Sequence, residues 1–504
     1  MVVVVYCVAV LVAVAWACRL YLSKSKPLPP GPPGLPLIGH LHKIKTRYPW
    51  VPIHEWHKTY GPILTVRAGQ QIIISLGDYK TTKDLLIKRT STYGSRPPNL
   101  PLKDSLIQDV GVFATPHGHS WMYRRKIQSS VLTPGNSKLY KPLQDLESRQ
   151  LIFNLLSNKD FGYEFGRYTA SVLSGILYGR RIKSDKDESV KEINAQSNEF
   201  LDIQTPGIWL ADMFPIFKWL PNGEAKWRKA GDACYSAQLR FFKKCTDLAL
   251  SSETWSWTKE KHRSKKHAWT NELICTLGEM FEGGSHTSTA MLSILVLACV
   301  SYPDAVRRVH QEIDAQVGED RLPDFKDIPE LKYTLAFVKE AQRHWPVFPA
   351  GTGHYALADD EYQGYRIPKG AIVVPNQWTL DQDNELFEDA EKFEPQRWLD
   401  NRNLPQGVFG WGRRRCPAQE VARSSLELNL ARLVWAYDMA WAEEQGPMPV
   451  GIELEKMVNG FCQSADFKVK FSVRSDKHER IVREGVLEDN SDAILNDIGT
   501  KIVE

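Results

Sequence analysis

The sequence predicts a mainly α protein with a smaller β-rich part, preceded by one membrane-spanning helix at its N-terminus. Three observations carry this. Helix-patterned stretches fill most of residues 137–250 and recur at 271–301, 327–345 and 418–435. Short runs rich in β-branched residues are confined to two places, 63–75 and 362–375. An apolar run opens the chain.

That run, Val2 to Cys18, holds 17 residues, and a spanning helix needs roughly 17–25. A cleaved signal peptide is the alternative, since Ala13-Val14-Ala15 and Ala15-Trp16-Ala17 resemble cleavage sites. No Lys or Arg precedes the run, however, and Arg19, Lys24 and Lys26 follow it. The positive-inside rule then puts the body on the cytoplasmic side of a retained anchor. Residues 1–22 are read as the anchor and residues 23–36, rich in proline, as a semi-rigid hinge. The body spans 37–474, and 475–504 reads as a charged, weakly patterned tail, partly disordered.

Within the body, Ile63–Arg67 and Gln71–Ser75 flank Gly69 as a hairpin, and Asp78 to Lys88 reads as a helix. Trp121 and Arg125 share a face near the start of another helix. An apolar cluster interrupts the helical pattern between Pro206 and Gly223, where it could roof a pocket or dip into a membrane surface. The basic stretch Thr258 to His267 reads as a solvated loop. Asn271 to Ser301 is the longest and most central helix. Its Gly283-Gly284 pair costs on the order of 1 kcal/mol per glycine relative to alanine and allows a kink or widened turn. Two explanations stay open: a groove that offers the Thr287 hydroxyl to something small, or close packing of another helix. Glu340 and Arg343 can pair on the helix that ends at Trp345. Tyr362–Tyr365 is a turn, and Ala371–Pro375 a strand.

Composition is that of a globular protein, with 42% hydrophobic and 25% charged residues. A net charge of +4 is too small to argue for nucleic acid. The eight cysteines are scattered without a C-x-x-C pair, which excludes zinc-ribbon and thioredoxin-like readings and fits a reducing compartment.

One stretch carries the densest chemistry: Phe409-Gly410-Trp411-Gly412-Arg413-Arg414-Arg415-Cys416-Pro417-Ala418. Glycines permit close backbone approach, cations favour a thiolate, and Pro417 starts a helix whose N-terminus favours an anion. Cys416 is therefore either a soft metal ligand or a buried structural cysteine.

Order and spacing separate these alternatives. Phe409-x-x-Gly412-x-Arg414-x-Cys416 resembles the haem-ligand loop of the cytochrome P450 family. Glu340-x-x-Arg343, Phe393-x-Pro395-x-Arg397-Trp398, Trp121-x-x-x-Arg125 and Gly283-Gly284-x-x-Thr287 resemble four further motifs of that family, and the match runs from about residue 1 to 475. The wording of two of these motifs is most similar to fungal microsomal members serving secondary metabolism. The resemblance implies the P450 fold, with a long central helix over haem b, and Cys416 as axial iron ligand. It implies propionate contacts from Arg414, Arg125 and Trp121, with His354 a further candidate from its strand, and packing of Phe409 and Gly412 near ring and sulfur. Glu340, Arg343 and Arg397 become a structural triad, and Thr287 a residue steering protons.

The implied activity is a monooxygenase that inserts one oxygen atom of O2 into a lipophilic small molecule. Electrons come from NADPH through a flavoprotein reductase on the same endoplasmic reticulum membrane, attracted by a basic face that includes Arg124, Lys126, Arg413 and Arg415. Three places depart from the pattern. His286 stands where an acidic residue usually precedes the threonine, and imidazole can also relay protons. Ala418 replaces a glycine. Gly353-His354 and Asp381–Asn384 lack the expected prolines. These leave two other outcomes open: a haem-thiolate enzyme that couples, desaturates or rearranges, and a non-catalytic haem-binding protein.

Overall fold

A computed structural model describes residues 26–44, 48–97, 111–157, 160–183, 192, 213–214, 226–264, 270–443, 467–486 and 490–503. The expected anchor and most of the apolar cluster at 206–223 lie outside them.

Two hydrophobic cores organise the body. The larger is helical and centres on α6 (Asn271–Ser301), whose apolar residues are buried on nearly every side. Thr270 caps its start by accepting the Leu273 N–H. α6 packs most extensively on α4 (Phe161–Tyr178), and also meets α5 (Lys226–Ser251), α2 (His119–Val131), α8 (Lys332–His344) and α9 (Gln419–Ala436). By length and hydropathy α6 could cross a membrane. Its burial among other helices is the reason to read it as a core helix.

The second core lies beside a four-stranded sheet. Its strands β1 (Ile63–Ala68), β2 (Gln71–Leu76), β3 (His354–Tyr355) and β6 (Ile372–Pro375) run in the order β1-β2-β6-β3. β1 and β2 form the expected hairpin, β6 joins β2 in parallel, and β3 is antiparallel to β6. β4 (Asp360–Tyr362) and β5 (Tyr365–Ile367) pair through the Gln363-Gly364 turn, both residues at positive φ. β7 (Tyr437–Trp441) pairs with β8 (Val469–Val473).

Several expectations change. The proline segment is not a free spacer. Pro30 O accepts the Thr65 N–H at 2.8 Å and Pro27 O accepts the Arg366 N–H at 2.8 Å, so it is pinned to the sheets. The helix expected at 78–88 starts at the Asp78 cap and then widens into a π-helix, Lys83–Lys88. Of the stretch read as a basic loop, Trp257–Arg263 is a helix capped by Ser256. Its Trp257, Thr258 and Lys259 are buried, so packing outweighs the charge of its outer face. The tail forms α10 (Asp476–Glu484) and α11 (Ser491–Val503). Leu495 and Ile498 of α11 are buried, and Asn496 accepts the Trp255 N–H at 2.8 Å.

The α6 helix runs unbroken through Gly283-Gly284. The two glycines divide the alternatives between them. A Cβ on Gly284 would meet Leu173 Cδ1 of α4 at 2.7 Å, whereas one on Gly283 would meet nothing within 4 Å. Gly284 serves packing; Gly283 faces open space.

Candidate functional site

The cysteine loop is held from its own backbone outward. Gly410 and Gly412 have φ of 78° and 53°, a region that disfavours side chains. A Cβ on Gly412 would also lie 2.2 Å from Leu86 O, so glycine is required there twice over. The Cys416 N–H donates to Phe409 O at 2.8 Å, and Gly410 N–H to Gly407 O at 2.8 Å, which closes the loop. Trp411 is buried and packs edge-on against Tyr79, with ring centroids 5.5 Å apart. α9 begins at Gln419, so Ala418 sits at its cap and Cys416 just before its N-terminus.

Burial pushes the Cys416 thiol above its ordinary value, while the Ala418 N–H, Arg125 and Arg415 pull it down. Burial outweighs the arginines, contrary to the effect read from the loop's cations alone. A thiolate at this position needs a stronger electrophile than arginine, such as a metal ion.

Beside the loop lies a group of guanidinium side chains, Arg96, Arg125 and Arg414, that form no ion pair among the described residues. Arg414 donates to Gly94 O at 2.9 Å and Val112 O at 3.3 Å, and its guanidinium lies 4.3 Å from the Trp121 ring centroid. Its Nη2 is buried with no partner among the described residues. Burial, Arg96 and Arg125 hold it down to about 9. Arg125 donates to Arg415 O at 2.6 Å, which ties α2 to the cysteine loop. Arg96 donates to Phe113 O at 3.0 Å and Gly353 O at 2.7 Å, and burial lowers it to about 10. The His354 Nδ1 bonds Tyr93 O at 2.8 Å, and burial, then Arg96, lower the imidazole to about 3. It is neutral at pH 7.

Uncompensated buried cations are costly, and this group fits a ligand with two carboxylates. Together with Cys416, the donor set fits a haem, with a soft ligand for the iron and cations for the propionates. Arg96 was not anticipated. It precedes two prolines in extended chain, where neither periodicity nor motif marks it.

On α6, the Thr287 Oγ1 donates to Gly283 O at 2.7 Å. Burial lowers His286 to about 4, and its Nε2 has no partner among the described residues. This imidazole is neutral near pH 7.

The Glu340 carboxylate meets Arg343 at 2.7 Å and Arg397 at 3.2 Å, and it also accepts from the Glu394 N–H and Trp398 Nε1 at 2.8 Å each. Phe409 presents its carbonyl to the loop, and its ring lies 5.9 Å from the Arg423 guanidinium. On the outer surface, Lys126, Arg413 and Arg415 are exposed, but Arg124 is buried and paired with Glu272 at 2.9 Å. Arg124 is therefore not part of an exposed basic face.

Comparison with known proteins gives one consistent result. The family model described as cytochrome P450 matches residues 29–458. The chain is 37% identical over 482 residues to cytochrome P450 monooxygenase aneD of Aspergillus aculeatus, covering 94% of each chain. It is 36% identical to cytochrome P450 monooxygenase FrzL of Cladobotryum sp, covering 94% of this chain and 93% of that one. It is 34% identical to fumitremorgin C synthase of Neosartorya fischeri, covering 92% and 91%.

Proposed function

The chain belongs to the cytochrome P450 family, and from that premise we propose a membrane-anchored monooxygenase that oxidises a lipophilic intermediate of fungal secondary metabolism. Haem b is the family's cofactor, and NADPH serves through a reductase. The observation that supports the residue roles is the meeting of Cys416 with three guanidinium groups, Arg96, Arg125 and Arg414, that have no anionic partner among the described residues.

When bound, haem supplies the oxygen activation, which a thiolate ligand favours by pushing electron density toward iron. In this reading Cys416 ligates the iron, with the Ala418 N–H and Arg125 stabilising its charge. Arg96, Arg125 and Arg414 receive the propionates, with Trp121 beneath Arg414 and neutral His354 alongside. Phe409 and Gly412 shape the loop against the sulfur. Thr287 holds a proton at Oγ1 on the open face of α6 and passes it inward when its bond to Gly283 O is exchanged. His286, neutral and half-buried, does not carry charge near pH 7. The triad Glu340, Arg343 and Arg397 positions the loop segment 388–398 and touches no reactant.

Residues 1–22 anchor the enzyme in the endoplasmic reticulum membrane and 23–36 lead into the body on the cytoplasmic side. Exposed Leu35 and Leu37 support this, because they border a surface cavity of about 440 Å³ lined also by Phe214, close to where the hinge enters. Lys126, Arg413 and Arg415 supply the basic face for an acidic reductase. A second outcome stands beside hydroxylation, coupling or rearrangement, since one relative is named a synthase and not a monooxygenase.

The test is reconstitution with an NADPH-dependent reductase under 18O2 and product mass analysis. One heavy oxygen atom per product supports insertion. NADPH-dependent product without labelled oxygen supports coupling or desaturation, and no turnover of any lipophilic candidate counts against both.

A further inference from the structure

Glu279 has no part in the roles above, yet it borders the same space. It precedes Gly283 by one turn and Thr287 by two on α6, so the three share a face. That is the face that opens at Gly283. Glu279 is half-buried where its flanking residues Thr276–Gly278 and Met280 are buried. Its Oε2 accepts the Val112 N–H at 2.8 Å, and it joins no ion pair among the described residues. The cation that bears on it, Arg124, is already held by Glu272 at 2.9 Å, and Glu282 adds a like charge. Burial raises the Glu279 carboxyl to about 7.

A half-buried carboxylate with one hydrogen bond and no ion pair among the described residues gains from a positive ligand that covers it. We infer that Glu279 is a recognition site for a protonated basic nitrogen on the substrate, so the substrate class is lipophilic amines. This rests on the reading that the Gly283–Thr287 face of α6 lines the substrate space. Eight residues of helix rise about 12 Å, and side chains lean toward the helix N-terminus. The recognised nitrogen therefore stands on the order of 10 Å from the oxidised position, too far for the amine itself to be the site of oxidation.

The alternative role for Glu279 is to anchor Val112. Glutamine keeps the acceptor for the Val112 N–H and removes only the charge. The probes are a phenylbutyl-trimethylammonium ion and its neutral isostere bearing a tert-butyl group, neither of which can coordinate iron. Equilibrium dialysis on the full-length, haem-loaded protein about one unit above the carboxyl's value of about 7 gives Kd for each. The wild type is expected to prefer the cation by about tenfold or more. Glu279→Gln should abolish that preference and leave the isostere's Kd unchanged. Equal preference in wild type and Glu279→Gln would overturn the inference, as would loss of both probes from a haem-loaded variant. A wild type with normal haem-thiolate spectra but no preference for the cation refutes this inference alone. A wild type that binds no haem refutes the functional reading and this inference with it.

Discussion

Replacing Arg343 with alanine removes the side chain that joins three carbonyls to a buried carboxylate. Arg343 donates to Glu340 at 2.7 and 3.0 Å, to Asp381 O at 2.7 Å, to Ala390 O at 2.8 Å and to Lys392 O at 3.0 Å. Glu340 is 0% exposed. After truncation it retains Arg397, the Glu394 N–H and Trp398 Nε1, but loses its bidentate partner. Removing one member of a buried ion pair costs about 3–5 kcal/mol. Each stranded carbonyl adds about 1 kcal/mol. The sum, about 6–8 kcal/mol, is comparable to the whole stability of an ordinary domain, about 5–15 kcal/mol. Arg343→Ala is therefore expected to accumulate as unfolded, haem-free protein. Arg343→Lys keeps the charge without the planar fork and should retain partial haem at reduced stability. The assay is haem per polypeptide together with thermal unfolding followed by circular dichroism. Arg343→Ala with full haem content and a Tm within a few degrees of wild type would refute the reasoning.

Three further predictions follow from single sites. Gly412→Ala, which combines a φ of 53° with a 2.2 Å approach to Leu86 O, should lose most of its haem, whereas Gly283→Ala, facing open space, should keep it; pyridine haemochrome titration separates them. Thr287→Ala should retain haem but lose roughly tenfold or more of its product per NADPH consumed, with the missing electrons recovered as peroxide. Burial raises the Asp381 carboxyl to about 7, so the folded state binds the proton more tightly than the unfolded chain does. Its contribution is then lost as pH rises from about 4 to about 7 and is flat above, with a slope of about 1 kcal/mol per pH unit. Urea unfolding across that window should show a flatter profile for Asp381→Asn, and parallel profiles would contradict the burial argument.

The parts of the site legible in the sequence were those whose chemistry is local. The cysteine loop needs its glycines because of its own backbone, and Glu340 and Arg343 are one helical turn apart. Gly283 and Thr287 share a helix face for the same reason. What stayed hidden depends on chain brought together from far apart. Arg96 reaches Arg414 only because β3 and the segment after Tyr93 lie side by side. Asp381 acquires its character from burial among distant stretches of chain, one of them carrying Tyr79, 302 residues away, whose hydroxyl donates to it at 2.7 Å. Glu279 looked like an ordinary helical acid until Val112 folded over it. The tail misled for a different reason. Ser491, Leu495, Ile498 and Ile502 follow helical spacing, but abundant charge nearby outweighed that signal. The same held for Trp257–Arg263, where the charges occupy only the outer face.

The account stands on Cys416 as a thiolate that ligates haem iron. The most direct measurement is the absorption spectrum of the reduced, carbon-monoxide-bound protein, for wild type and Cys416→Ser. A thiolate-type Soret band in the wild type, lost in Cys416→Ser while the fold survives, is the predicted result. An unchanged band in Cys416→Ser, or well-folded wild-type protein with no haem at all, would contradict it.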